Sequence, residues 1–142
     1  MNKLFQKMNN GSNEWGVSFS RISWLEGAIS SHANVVNVSR HDDIILEIER
    51  ANGPPVTAIC LDEYAFGEAA AQRVFHEFPN VNFISVGGNW NGYTPEAKEL
   101  CLSKKVGLYN SSELTGALWL DNFWDYAAKD KDGDPVYQYR SA

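Results

Sequence analysis

The chain has 142 residues, of which 44% are hydrophobic and 13% aromatic. That is the size of one ordinary domain with enough apolar side chains to bury a core, and it excludes disorder as the default. The formal net charge of −6 sets the surface against phosphate backbones, so tight nonspecific nucleic-acid binding is not expected.

Cys60 and Cys101 each lie inside an apolar stretch and read as buried small hydrophobes, not as a redox or metal pair. The first residues lack the apolar run of a signal peptide, and no segment approaches the ~20 apolar residues of a membrane span. A cytoplasmic, reduced protein is the expectation.

Residues 1–13 are polar and end in Asn9-Asn10-Gly11-Ser12-Asn13. They are expected to be a loose arm, in which Leu4, Phe5 and Met8 could form a short docking helix. Residues 14–142 are expected to form a single α/β domain. From Ser18 onward, Phe19, Ile22, Leu25, Glu26 and Ile29 fall at helical spacing, which predicts a helix weakened at Gly27 by about 1 kcal/mol relative to Ala. Asn34 to Val38 is β-branched and predicts a strand. Asp43 to Glu49 fits two patterns. Ile44, Leu46 and Ile48 alternate as a strand would, while Asp42 or Asp43 could cap a helix. The turn Asn52-Gly53-Pro54-Pro55 and the apolar run Val56 to Leu61 favour a hairpin of two strands.

Gly67 to Phe78 is a predicted helix with Ala70, Val74, Phe75 and Phe78 inward, stopped by Pro79-Asn80. Val81 to Val86 is a strand that ends at Gly87-Gly88. Thr94 as N-cap and Pro95 at the first helical position start a helix that runs to about Lys105, with Ala97, Leu100 and Cys101 inward. Val106 to Tyr109 is a short strand. Ser111 opens a final helix carrying Leu114, Leu118, Trp119 and Phe123. In Asp130-Lys131-Asp132-Gly133-Asp134 the acids alternate as in a calcium loop, but the glycine is misplaced and no closing glutamate follows. An exposed turn into an edge strand at Val136 to Tyr139 is the reading.

The order helix, strand, hairpin, strand, helix, strand is similar to that of the restriction-endonuclease-like core. Tyr93-Thr94-Pro95-Glu96-Ala97-Lys98-Glu99-Leu100, with Val106 to Tyr109 and Ser112-Glu113-Leu114, resembles the end of an Mrr-type restriction endonuclease domain. Leu25-Glu26 is similar to that family's helical acid, and Asp42-Asp43-Ile44-Ile45-Leu46 to the acid that opens its second core strand. The resemblance spans about Trp24 to Leu118. It implies a mixed sheet of about five strands flanked by helices in the order αβββαβαβα. A Rossmann-like three-layer sandwich is the alternative if Asp43 to Glu49 is helical. The resemblance also implies chemistry, in which acids hold Mg²⁺ and a Glu/Gln-x-Lys strand positions the attacking water. Here Cys60 stands at the Glu/Gln position and Asp62 at the lysine position. The catalytic lysine is missing, which points to a binding or interaction domain with a degenerate nuclease-like core. A divergent Mg²⁺-dependent nuclease and a Rossmann-like small-molecule binder remain as alternatives.

Candidate site residues follow from the polar loops at the strand ends, where α/β domains place their sites. Glu26, Asp43, Asp62 and Glu63 are the acids available for catalysis, and Asp43 and Asp62 are the candidate metal ligands. No cofactor is expected, apart from Mg²⁺ under the nuclease alternative. Arg40 and His41 precede the second strand and could contact a ligand. Gly88, Asn89, Trp90, Asn91 and Tyr93 form a glycine-rich loop before a helix N-terminus, suited to close approach by a ligand. Trp119, Phe123 and Trp124 crowd the final helix with more aromatic surface than one stripe needs. They are the expected interface of a homodimer.

Overall fold

Ser18 starts the first helix as its sequence position suggests. In a computed structural model, which describes residues 10–141, α1 spans Phe19–Ser30 and the Ser18 hydroxyl accepts from the Arg21 amide at its N-terminus. Ile22, Leu25 and Ile29 form its buried face. The docking helix expected around Leu4, Phe5 and Met8 lies outside the described residues. The end of the expected arm is tied down: the Gly11 amide and the Asn13 side chain both donate to Asp43 Oδ2.

Three antiparallel strands follow: β1 (Val35–His41), β2 (Ile45–Arg50) and β3 (Val56–Cys60). His41 stands opposite Ile45, and Ile45 in turn opposite Ile59. Asp43 to Glu49 is therefore strand and not helix beyond its first residues, which removes the premise of the Rossmann-like alternative. Leu46 and Ile48 are buried while Glu47 and Glu49 face solvent, so the period-2 pattern decides the outcome. One expectation needs correction. Arg40 and His41 do not sit in a loop, because β1 runs through them. The turn is only Asp42, Asp43 and Ile44, with Asp42 and Asp43 at φ of 49° and 65°, a region that Asp tolerates better than most residues.

The remaining elements are β4 (Ala65–Phe66), α2 (Glu68–Glu77), β5 (Phe83–Ser85), β6 (Gly92–Tyr93), α3 (Pro95–Ser103), β7 (Gly107–Tyr109) and α4 (Ser111–Trp119). They complete a mixed five-stranded sheet, order β1-β2-β3-β5-β7, flanked by helices. β3, β5 and β7 run parallel, and β4 and β6 form a separate parallel pair. Every residue of β5 and β7 is buried, as expected for parallel strands covered on both faces. Thr94 caps α3 with Pro95 in its first turn. Asn110 and Glu113 form a reciprocal capping box at the start of α4, so orphan amides at both helix starts are satisfied.

The final helix is shorter than expected. It stops at Trp119, and Phe123–Asp125 forms a separate 3₁₀ turn. Arg50 is the cause: its guanidinium donates to the carbonyls of Leu118 and Leu120, closing the helix end with a cation where the dipole favours one. The chain then turns back and lays Phe123 against Phe83. The last segment forms a two-stranded ribbon, β8 (Ala128–Lys129) with β9 (Pro135–Val136). The edge strand expected at Val136 to Tyr139 reduces to β9 and one bridge from Tyr139 to Tyr93. Asp130 accepts from the amides of Asp132 and Asp134, so that acidic run shapes a turn. This segment lies close on the domain, since a Cβ at Gly92 would overlap the Gln138 carbonyl and one at Gly116 the Tyr126 ring.

Candidate functional site

The C-terminal ends of β3, β5 and β7 converge on one edge of the sheet. After β3 the chain leaves through Leu61, Asp62, Glu63 and Tyr64, tethered to the neighbouring strand by Leu61 N to Ser85 O and Glu63 N to Val86 O. After β5 it makes the glycine-rich loop. Gly87, at φ 115°, sits where a Cβ would strike the Asn91 amide, so this position needs glycine for both geometry and space. Asn91 holds the loop together, donating to Asp62 Oδ1 at 2.7 Å and to the Val86 carbonyl at 2.9 Å. Asn110 donates to the Asn91 carbonyl, and Arg140 donates to the carbonyls of Asn89 and Trp90. The loop backbone is thus pinned from three sides while the Trp90 side chain stands 82% exposed. Tyr64 and Trp24, about half exposed, are the other large aromatics of this region. The Arg21 guanidinium lies beside Gly88, 4.0 Å from Asp62 Oδ2, and over the Trp24 ring.

The Mg²⁺ chemistry that the resemblance implies does not fit the residues present. Asp43 is buried and both of its oxygens are taken. Oδ1 accepts from Arg40 Nη1 at 3.0 Å, and Oδ2 accepts from the Gly11 amide and the Asn13 side chain. Arg40 Nε lies 3.7 Å from Glu26, so a guanidinium stands between the two acids that would share a cation. Asp62 belongs to a different constellation, with Asn91 and Arg21. Among the described residues, no group of three His, Cys, Asp or Glu side chains is placed to hold a metal ion. Burial, with the neighbouring Asp62 carboxylate, raises the Glu63 carboxyl above its ordinary value. Burial pushes the Cys60 thiol up to about 12, which leaves it protonated and unreactive.

The other sequence candidates separate. Gly88, Asn89 and Trp90 stay at the exposed edge. Asn91 and Tyr93 go inside, as fixings of the loop. Arg40 is part of the buried ion pair. His41 sits elsewhere, sandwiched between Asp42 and Glu47 at 2.8 and 2.9 Å. Burial lowers its pKa, but the two hydrogen bonds and charges outweigh this and hold it above the ordinary 6.5. Of the expected interface residues, Phe123 is in the protomer's own core and Trp124 is half-buried against it. Only Trp119 remains half exposed, tilted on His32. His32, given no role from sequence, joins α4 to the end of α1 through the Thr115 carbonyl and the Asn34 amide.

Reading the sequence also missed a buried polar cluster behind the loop. Lys98 on α3 is buried, donates to the Leu108 carbonyl at 2.9 Å, and faces the rings of Tyr109, Tyr93 and Tyr137 at 4.2, 5.2 and 5.7 Å. Burial lowers its ammonium to about 8. Glu113, also buried, accepts from the Tyr93 hydroxyl at 2.7 Å, and burial raises its carboxyl. The only signal in the chain was a lysine three residues before Cys101 on the inward side of the predicted helix. Its role as the filling of a tyrosine cage depends on β7 and the C-terminal segment. Comparison of the chain with family models, with curated proteins and with solved structures found no match in any of the three.

Proposed function

We propose that this chain is a binding domain without catalysis, built on a degenerate restriction-endonuclease-like core, and that it meets a protein partner through the Trp90 loop. The observation that carries this reading is the Arg40 guanidinium between Asp43 and Glu26. A fixed cation neutralises the acids and occupies the space a metal would need. The antiparallel β1-β2-β3 run followed by parallel β5 and β7 makes a mixed five-stranded sheet flanked by helices, which is compatible with such a core and supports choosing it.

The exposed edge supports the second half. Trp, Tyr and Arg are the residue types that dominate interface energetics, and Trp90, Tyr64, Trp24, Arg21 and Arg140 all belong to this region. A pinned backbone presents Trp90 at little entropic cost on binding. Single-stranded nucleic acid would use the same aromatics with a cationic groove, but here Asp62 faces Arg21 and Glu63 follows it.

The test has two arms. Plasmid DNA with purified protein and Mg²⁺ or Mn²⁺ should remain uncut, and calorimetric titration with Mg²⁺ should give no binding heat. Nicking that disappears in both Asp43→Ala and Asp62→Ala would replace this reading with the divergent nuclease. Labelled oligothymidylate should not bind at micromolar protein. Binding that is lost in Trp90→Ala would make the partner a nucleic acid.

A further inference from the structure

The two edges of the sheet differ. β7 is three residues long, and the Tyr109 hydroxyl donates to the Phe123 carbonyl and accepts the Tyr126 amide, so the C-terminal segment covers that side. β1 is seven residues long and forms the other edge. Beyond β2, no described residue pairs with its backbone along Val36 to His41. An edge of that length is a template for another strand unless it is blunted by charge, proline or bulges. Val35 to Ser39 carries no charge and no proline. Its one irregularity lies at the end, between Val35 and Asn37, which leaves the run from Asn37 onward regular. A groove of about 230 Å³, lined by Ser30 of α1 and Val35 to Val38, follows this edge.

We propose that β1 pairs with β1 of a second copy of this chain, antiparallel about a two-fold axis at Val38, so that two five-stranded sheets become one continuous sheet. This is independent of the function proposed above and uses a different face from the Trp90 loop. The register argues for a second copy as the occupant. A two-fold at Val38 places Val38 against Val38 and Asn37 against Ser39, while Arg40 falls opposite Val36, the residue at the irregularity. No like charges oppose one another, and a β-branched pair sits at the centre, both of which favour antiparallel pairing. Alternation keeps the faces consistent. Arg40 reaches Glu26 of α1, so Val38 lies on the α1 side, in the groove. Asn37 and Ser39 lie on the polar side, where they neighbour Glu49 and Glu47 of their own β2. An isologous contact of this kind closes at two copies and leaves no growing end.

Sedimentation at micromolar concentration should give twice the protomer mass. Val38→Lys sets two ammonium groups against each other at the axis and should weaken association at least tenfold, with an unchanged circular-dichroism spectrum. Val38→Cys supplies a second reading should the lysine variant fail to fold. Cys60 and Cys101 are buried, and partners directly across an antiparallel pair lie within disulfide reach. Mild oxidation should therefore give one cross-linked dimer on a non-reducing gel, while Ser103→Cys, exposed at the end of α3, should give none. A monomeric mass for the unmutated protein overturns the proposal. So does a dimer that survives Val38→Lys and leaves Val38→Cys uncross-linked, which would move the contact to a surface such as Trp119. A monomer whose β1 amides resist hydrogen exchange would also overturn it, because the strand would then be covered within the protomer.

Discussion

Arg40→Met tests the view that a guanidinium has taken the place of a metal. The Arg40 side chain is 7% exposed and that of Asp43 1% exposed, with 3.0 Å between them. Removing one member of a buried ion pair strands the other charge, at a cost of about 3–5 kcal/mol. Two donors to Asp43 remain, the Gly11 amide and the Asn13 side chain, which places the effect near the lower end. The Glu26 contact adds little, because at 3.7 Å and a third exposed it is worth at most about 1 kcal/mol. A loss of roughly 3 kcal/mol corresponds to a fall in Tm on the order of 10 °C for a chain of this size. Urea unfolding followed by circular dichroism, with a parallel thermal melt, measures both. Arg40→Lys should fall between, since an ammonium cannot hold both acids in a planar fork. A change below about 1 kcal/mol in Arg40→Met would show that Asp43 does not depend on the guanidinium. Recovery of the lost stability in millimolar Mg²⁺ would strengthen the reasoning, because ligand-linked stabilisation of the variant would mean that Glu26 and Asp43 hold a cation once Arg40 is gone.

His41 should make stability depend on pH. Its folded pKa lies above 6.5, so its contribution is fully present below pH 6.5 and is lost as pH rises through the folded value; denaturation midpoints from pH 6 to 8 should fall in the unmutated protein and flatten in His41→Ala. Lys98 works in the opposite sense. With its ammonium at about 8 against an ordinary 10.5, the fold carries a penalty below pH 8 that is relieved as pH rises toward 10.5, roughly 3 kcal/mol in all. Lys98→Met should therefore be at least as stable as the parent at pH 7, and its advantage should shrink toward pH 10 in urea midpoints; a variant destabilised by more than about 2 kcal/mol at pH 7 would show that the tyrosine cage and Glu113 outweigh desolvation. Gly92→Ala and Gly116→Ala should each loosen the C-terminal segment, seen as faster hydrogen exchange across residues 126–140, while exchange in β3 and β5 stays as it was.

The five strands of the main sheet, the turn at Asn52 to Pro55, the Thr94 cap and some inward helix residues, such as Ile22, Leu25, Val74, Ala97 and Leu114, were legible in the chain because local patterns determine them. A period of two or 3.6, a capping oxygen and a proline at a first helical position act over a few residues. The position of the polar loops at the strand ends was legible for the same reason, and Gly88, Asn89 and Trp90 are at the exposed edge as the sequence suggested. Which side chains meet was not legible. Arg40 and Asp43 looked like two free site residues, yet a left-handed turn folds β1 against β2 and pairs them. Phe123 read as one more turn of an amphipathic helix, until Arg50, remote in sequence, closed α4 at its last carbonyls and turned the chain inward. Lys98 read as an ordinary helical lysine, because the tyrosines that enclose it come from β6, β7 and the C-terminal segment. The affinity of a charged group for its surroundings depends on burial and on partners far along the chain, and those are properties that only the packed structure supplies.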